Sequence, residues 1–205
     1  MKRKKTNKFI VMLGLILILV SILITCFEVY KKYQSNKETE QIIETIFQEE
    51  VPTPEVVEVV PDPVEVEIPK KEEIILTNKY LGYIEFSNYG IKRLITTGTD
   101  KATLDKGLVG TLNVSARIDD EVGNLIIAGH SVSNTFQKLH YMKIGEEIKI
   151  VSHKDTYIYK IIEKHTINDD DMSYFKKIDD KKILTLITCK NNGNQRLIVI
   201  AELRG

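Results

Sequence analysis

Proline is missing from most of this chain and cysteine from nearly all of it. The five prolines (Pro52, Pro54, Pro61, Pro63, Pro69) fall in one short stretch, and the two cysteines, Cys26 and Cys189, stand far apart. Two isolated thiols make no CxxC pair, no zinc spacing and no disulfide framework. An excess of one charge is missing too, since 29 basic and 29 acidic residues cancel. That balance removes the bulk electrostatic case for a nucleic-acid partner. No internal repeat is visible, and long amphipathic helical patterns are lacking beyond residue 74. Repeat architectures and helical bundles are thereby set aside for that part of the chain.

What is present begins with an uncharged apolar run at residues 9–27, FIVMLGLILILVSILITCF. At about 1.5 Å per helical residue it matches a bilayer core of about 30 Å. Lys2, Arg3, Lys4, Lys5 and Lys8 crowd its amino side, which the positive-inside rule keeps cytoplasmic. The expectation is a single-pass anchor with everything after Phe27 outside the cell membrane. No A-x-A-like cleavage pattern follows, so an uncleaved anchor is expected rather than a signal peptide. Leu23-Ile24-Thr25-Cys26 comes near a bacterial lipoprotein box but has Thr25 where Gly, Ala or Ser belongs, so lipidation is not the reading preferred.

Residues 31–48 are polar, with Ile42, Ile43, Ile46 and Phe47 at helix-compatible spacing, as a short juxtamembrane helix would have them. Residues 49–73 hold all the prolines among Glu and Val. That composition describes an extended acidic tether, a solvated spacer. Beyond it, short β-type runs are expected at 82–86, 91–96, 107–112, 124–130, 147–151, 156–164, 183–189 and 196–203. Turn signals such as Asn88-Tyr89-Gly90, Asp119-Asp120 and Asn191-Asn192-Gly193 separate them. Short helical turns fit at 101–106, 135–139 and 170–176. This pattern indicates an all-β domain with short helices, a small antiparallel barrel or sandwich. The division expected is a cytoplasmic stub and anchor at 1–33, a juxtamembrane segment and linker at 34–75, and the folded domain at 76–205.

Chemistry points to Cys189. It ends the apolar run Thr185-Leu186-Ile187-Thr188, and Arg196 opens the next one after a polar loop. A strand–loop–strand unit sets such residues side by side, and a thiol beside a fixed cation favours thiolate. Outside the membrane Cys189 has no internal disulfide partner, so it stays free or works. A cysteine nucleophile needs a proton carrier. Of His130, His140, His153 and His165, only His130 closes an apolar run (Leu125-Ile126-Ile127-Ala128-Gly129) as Cys189 does. The other three read as surface or half-buried histidines.

Leu125 to His130, followed by Phe136-Gln137-Lys138-Leu139 and Gly145-Glu146-Glu147-Ile148, resembles the histidine region of sortases. Leu184-Thr185-Leu186-Ile187-Thr188-Cys189 with Arg196-Leu197-Ile198-Val199 resembles their T-L-x-T-C signature and arginine strand. Gly82-Tyr83-Ile84-Glu85-Phe86 and Gly90-Ile91 resemble the opening strands. The resemblance runs from about Tyr80 to the end. It implies an eight-stranded sortase-like β-barrel behind the anchor and linker. It also implies a Gram-positive surface transpeptidase that cuts a Leu-Pro-x-Thr-Gly sorting signal between Thr and Gly, then passes the acyl group to an amine on a wall precursor or protein.

In the roles this implies, Cys189 is the nucleophile, His130 the acid–base and Arg196 the oxyanion or substrate-backbone clamp, with Thr188 a candidate substrate contact. No cofactor is implied for the chemistry. Some members bind calcium through acidic loops, which makes Asp119, Asp120, Glu121 and Asp170 (with Asp169 and Asp171) the candidate ligands; solvated loops are the simpler reading. Pilus-building members usually carry a lid with Asp and an aromatic residue. Here Val64 follows Asp62-Pro63, and no second apolar span precedes Gly205, so a simpler anchoring class is expected. Papain-like peptidases place cysteine before histidine, and caspase-like ones require Q-A-C-x-G; neither pattern is present. The competing reading is a membrane-tethered β-domain that binds wall polymer or protein without catalysis.

Overall fold

The computed structural model describes residues 8–47 and 79–204. The tether, including Asp62-Pro63 and all five prolines, lies outside the described residues. The chain divides into two compact units, Met1–Glu38 and Thr39–Gly205.

Helix α1 runs Lys8–Ile46 without interruption. The apolar run and the juxtamembrane segment are thus one helix, because no proline or glycine pair intervenes to break it. Its membrane-length apolar window is unburied. Ile10, Leu17, Leu19, Leu23 and Phe27 all stand exposed, as a lipid-facing helix requires. Within the second unit, the end of α1 buries Ile43 among Tyr80, Tyr83, Leu94 and Val151, with Ile42, Ile46 and Phe47 alongside. The Phe47 ring stacks on His153 with centroids 4.6 Å apart, and His153 Nε2 donates to the Tyr80 carbonyl at 2.7 Å.

Eight strands follow: β1 Gly82–Phe86, β2 Ile91–Thr97, β3 Val109–Thr111, β4 Gly123–Ala128, β5 Glu147–Ser152, β6 Thr156–Asn168, β7 Lys182–Lys190 and β8 Gln195–Leu203. They close into a barrel in the order β1-β2-β3-β4-β7-β8-β6-β5. Closure leaves no strand edge to aggregate. Alternation decides the inward face where one side meets water: in β5, Ile148 and Ile150 enter the core while Glu147 stays out. The runs Leu125–Ala128 of β4 and Ile183–Ile187 of β7 are apolar apart from Thr185, because both faces of these strands are covered. Leu125, Ile127, Leu184 and Leu186 fill the barrel, while Ile126 and Ile187 pack outside it with Ile167, Ile198, Tyr174 and Phe175. A strand buried on both sides loses its alternation.

The barrel is not wholly antiparallel. β2 pairs with β3, and β4 with β7, in parallel. Parallel neighbours need crossover connections. A short helix α2, Lys101–Asp105, supplies the first, and residues 129–181, which include β5 and β6, supply the second. Residues 170–176 form turns rather than the helical turn expected. The Asn124 side chain donates to the carbonyls of Tyr174 and Lys176 at 3.2 Å each, replacing intrahelical bonds there. β3 is shorter than its apolar run because Gly107, at φ +79°, belongs to the turn after α2. β6 runs on to Asn168, taking in His165, because β8 pairs with it along that length past a register shift between Ile161 and Glu163.

Candidate active site

The site is built at the end of the barrel where β4 and β7 both terminate. These two strands are in parallel register, with Ala128 beside Ile187. Continuing that register by two residues sets His130 beside Cys189. The continuation is bonded: Gly129 N–H donates to the Ile187 carbonyl at 3.1 Å, and Thr188 Oγ1 donates to the Gly129 carbonyl at 2.8 Å. Thr188 is therefore buried, and its hydroxyl ties the histidine strand to the cysteine strand. Gly129 has its own reason to be glycine, since a Cβ there would stand 2.9 Å from the Phe136 ring. Phe136 closes back on the same strand end, its N–H donating to the His130 carbonyl at 3.1 Å.

Cys189 is a free, half-buried thiol. It pairs across the β7–β8 hairpin with Arg196. The connecting turn needs left-handed backbone at Asn191 (φ 50°), Asn192 (φ 54°) and Gly193 (φ 95°), and asparagine and glycine are the residues that tolerate it. Arg196 Nη1 donates to the carbonyls of Gly193 at 2.5 Å and Gln195 at 3.1 Å. One loop carbonyl and the first carbonyl of β8 thus seat the guanidinium, which carries five donors in all.

His130 and Cys189 line one cavity of ≈ 470 Å³, with Ser131, Val132, His140 and Lys190 among its walls. The His130 ring makes a contact that no sequence pattern announced. Its Nε2 lies 2.9 Å from Asp105 Oδ1, on the last residue of α2. His140 was also missed as a site residue. It lies on a single 3-10 turn, Phe136–His140, and its Nε2 is 3.2 Å from Ser131 Oγ. The only sequence signal for it is its place directly after the Phe136–Leu139 motif. Lys164 fixes the end of that turn, donating to the Met142 carbonyl at 2.5 Å and the His140 carbonyl at 3.3 Å. Burial pushes the Lys164 ammonium below its usual range, with Glu146 opposing and Lys190 reinforcing the shift. His165 lies away from the site, bonded to Glu163 at 2.7 Å and packed on Tyr174.

Of the acidic residues weighed as calcium ligands, Asp119 and Asp120 have other partners. Asp119 Oδ1 accepts from Ser152 Oγ at 2.6 Å and Tyr157 OH at 3.1 Å, and Asp120 accepts from Arg117 N–H. Among the described residues, no three His, Cys, Asp or Glu side chains are grouped so as to hold a metal ion.

The model of the sortase domain matches residues 84–204. Sortase A of Listeria monocytogenes is 27% identical over 128 residues, covering 60% of this chain and 56% of its own. The chain thus spans a little over half the length of that relative. YwpE of Bacillus subtilis, a protein named as a sortase, is 36% identical over 88 residues, covering 40% of this chain and 83% of its own. In fold, the chain is similar to the solved structure of a Clostridium perfringens sortase D5 transpeptidase. The TM-score is 0.60 at 22% identity, covering 86% of this chain and 99% of that one. With a closed eight-stranded barrel and a domain match over most of its length, this chain belongs to the sortase family.

Proposed function

We propose that this protein is a membrane-anchored cysteine transpeptidase. It cleaves a Leu-Pro-x-Thr-Gly-like sorting signal between Thr and Gly through a thioester, then transfers the acyl group to an amine on a wall precursor or protein. The observation that carries this reading is the parallel β4–β7 register, which sets His130 and Cys189 at one cavity. Arg196 stands opposite Cys189 in the next strand pair.

The chemistry follows from these groups. The Cys189 thiolate attacks the threonyl carbonyl carbon, forming the C–S bond and placing charge on oxygen. Arg196 is the cation for that oxygen or for the substrate backbone; its recorded hydrogen bonds use only Nη1, and a preorganised donor at developing charge contributes several kcal/mol. Collapse breaks the C–N bond as the His130 imidazolium gives its proton to the leaving glycyl amine. An incoming amine then attacks the thioester and returns a proton to His130, and sulfur leaves as thiolate. Water as acceptor would make the same cleavage a hydrolysis. Thr188 acts through position, holding Cys189 to the histidine strand. The basic residues before α1 support a cytoplasmic amino terminus and an extracellular barrel, with anchor and stub at 1–33, linker at 34–75 and catalytic domain at 76–205.

The test is mass spectrometry of the full chain in detergent, incubated with a panel of Leu-Pro-x-Thr-Gly peptides and an amine. Transpeptidation product and a Cys189 thioester are expected. Both vanish in Cys189→Ala, and product falls strongly in His130→Ala and Arg196→Ala. Product undiminished in Cys189→Ala would remove the mechanism. Absence of any adduct across the panel would favour a binding domain instead.

A further inference from the structure

We propose that Asp105 is a positioning residue for His130. It fixes which ring nitrogen keeps its proton and so assigns the catalytic proton transfer to Nδ1. This rests on the reading of His130 as the acid–base. The contact itself is 2.9 Å between His130 Nε2 and Asp105 Oδ1, with the side chains 35% and 53% exposed. An ionised carboxylate only accepts hydrogen bonds, so the proton between these two atoms sits on Nε2. That holds for the neutral ring and for the imidazolium alike. The nitrogen left to exchange protons with the leaving amine and the acceptor is Nδ1. A hydrogen bond on one imidazole nitrogen setting the work of the other is a general property of histidine.

The carboxylate is delivered by a built segment. Asp100 caps α2, accepting from Thr103 N–H at 3.0 Å and Thr103 Oγ1 at 2.6 Å. After Asp105, Gly107 N–H returns to the Leu104 carbonyl at 3.0 Å. The entry to the segment is locked to β3, where Gly98 N–H donates to the Thr111 carbonyl at 3.1 Å. Gly98 passes so close to β3 that a Cβ on Gly110 would lie 1.8 Å from its carbonyl oxygen. The short helix therefore reaches the mouth from a fixed base. The other charged or titratable groups around the ring are Cys189, His140 and Lys190 on the cavity wall, Arg196 opposite Cys189, and Lys101 and Lys106 on the exposed side of the α2 segment. Among the described residues, Asp105 is the one acidic partner recorded for His130.

The experiment uses the full chain in detergent, as wild type, Asp105→Asn, Asp105→Ala, Asp105→Glu and His130→Ala. Turnover is read with a Leu-Pro-Ala-Thr-Gly peptide and hydroxylamine as the amine. Ring tautomers are read by nitrogen NMR of histidine-labelled protein, with a His130→Gln sample identifying the His130 signals. The wild-type ring is expected to carry its proton on Nε2, and Asp105→Asn and Asp105→Ala to populate the Nδ1–H form. In those two variants kcat falls about tenfold, a part of what an acid–base group contributes. KM stays within about twofold, and Asp105→Glu recovers part of the loss. Wild-type kcat in both variants beside an inactive His130→Ala would overturn the proposal and leave the transpeptidase reading standing. A rise in kcat would also overturn it, by showing that the contact holds the ring away from its work. An unchanged tautomer in Asp105→Ala overturns it without reference to turnover. Full turnover in His130→Ala would instead sink the reading beneath it.

Discussion

The two ends of the barrel are made from the same eight strands and treat polar groups in opposite ways. At the end where β7 begins, polar groups are spent on one another. Asp119 accepts from Ser152 and Tyr157, Lys182 lies 3.5 Å over the Tyr157 ring, and Asn124 bridges Thr185 to the carbonyls of Tyr174 and Lys176. At the end where β7 stops, Cys189, His130 and His140 line an open cavity. Their geometry there is held by backbone and by neighbours that lie off the reaction path. On the proposed function, the difference assigns stability to one end and reactivity to the other. A network of paired polar groups resists change, whereas a site needs groups whose bonds are exchangeable.

The sharpest way to break this division is at Cys189. Cys189→Ala is expected to lower transpeptidation by at least about a thousandfold while thermal unfolding moves by no more than about 2 °C. A large loss of stability would mean that the thiol is part of the core rather than of the mouth. Next in size is Gly110→Ala, where the two roles meet. Its Cβ would stand 1.8 Å from the Gly98 carbonyl oxygen, so backbone must move, at an expected loss of about 3 kcal/mol in denaturant unfolding. Because Gly98 leads into α2, turnover should fall beyond what the unfolded fraction explains. Unfolding and turnover that change in strict proportion would argue against α2 as part of the site.

How far this arrangement was legible depends on what kind of contact makes each part. Strands such as β5 and β6 were legible from alternation, and β7 from its continuous apolar run ending in a thiol. His130 and Cys189 were legible as two strand exits, because each closes an apolar run. Their adjacency was not, since it depends on a parallel pairing made by a long crossover, and the period-2 pattern is the same for either strand direction. The reach of the end of α1 to the barrel was hidden for a related reason. Ile42, Ile43, Ile46 and Phe47 have helical spacing, but the residues that receive them come from three separate strands (Tyr83 of β1, Leu94 of β2 and Val151 of β5) and from Tyr80 just before β1. Asp105 and His140 left no signal strong enough to read. An aspartate on a five-residue helix and a histidine on a 3-10 turn are ordinary surface residues until the fold carries them to the cavity.

The stabilising end is open to smaller tests. Asn124→Ala removes three recorded side-chain hydrogen bonds from a residue that is 4% exposed. Leaving buried partners unpaired is expected to cost about 2 kcal/mol, read as a lower urea midpoint, with turnover in the remaining folded protein within about twofold. A loss of turnover with the urea midpoint unmoved would reverse the assignment of the two ends.

The gentlest test uses pH at the same end. Burial, with the hydrogen bond and negative charge of Asp119 and the charge of Asp155, pushes the Tyr157 phenol from 10.0 up to about 12. Burial also raises Tyr159, with Tyr157 and Asp119 adding to the effect. Both groups keep their protons in the folded barrel to a higher pH than in the unfolded chain. Their contribution to stability is therefore complete below about pH 10 and falls as pH rises, that of Tyr157 being lost as pH climbs through about 12 and that of Tyr159 at higher pH still. Urea midpoints at pH 9, 10, 11 and 12 should fall across that window. In Tyr157→Phe the midpoint should start lower, by about 1 kcal/mol for the lost hydrogen bond, and fall less steeply, so that the two curves approach one another. Because Tyr159 remains in that variant, some slope survives, and the double change with Tyr159→Phe should flatten it further. Curves that stay parallel would show that the phenol of Tyr157 is equally easy to ionise folded and unfolded. The polar cluster would then be no tighter than the open mouth it is contrasted with.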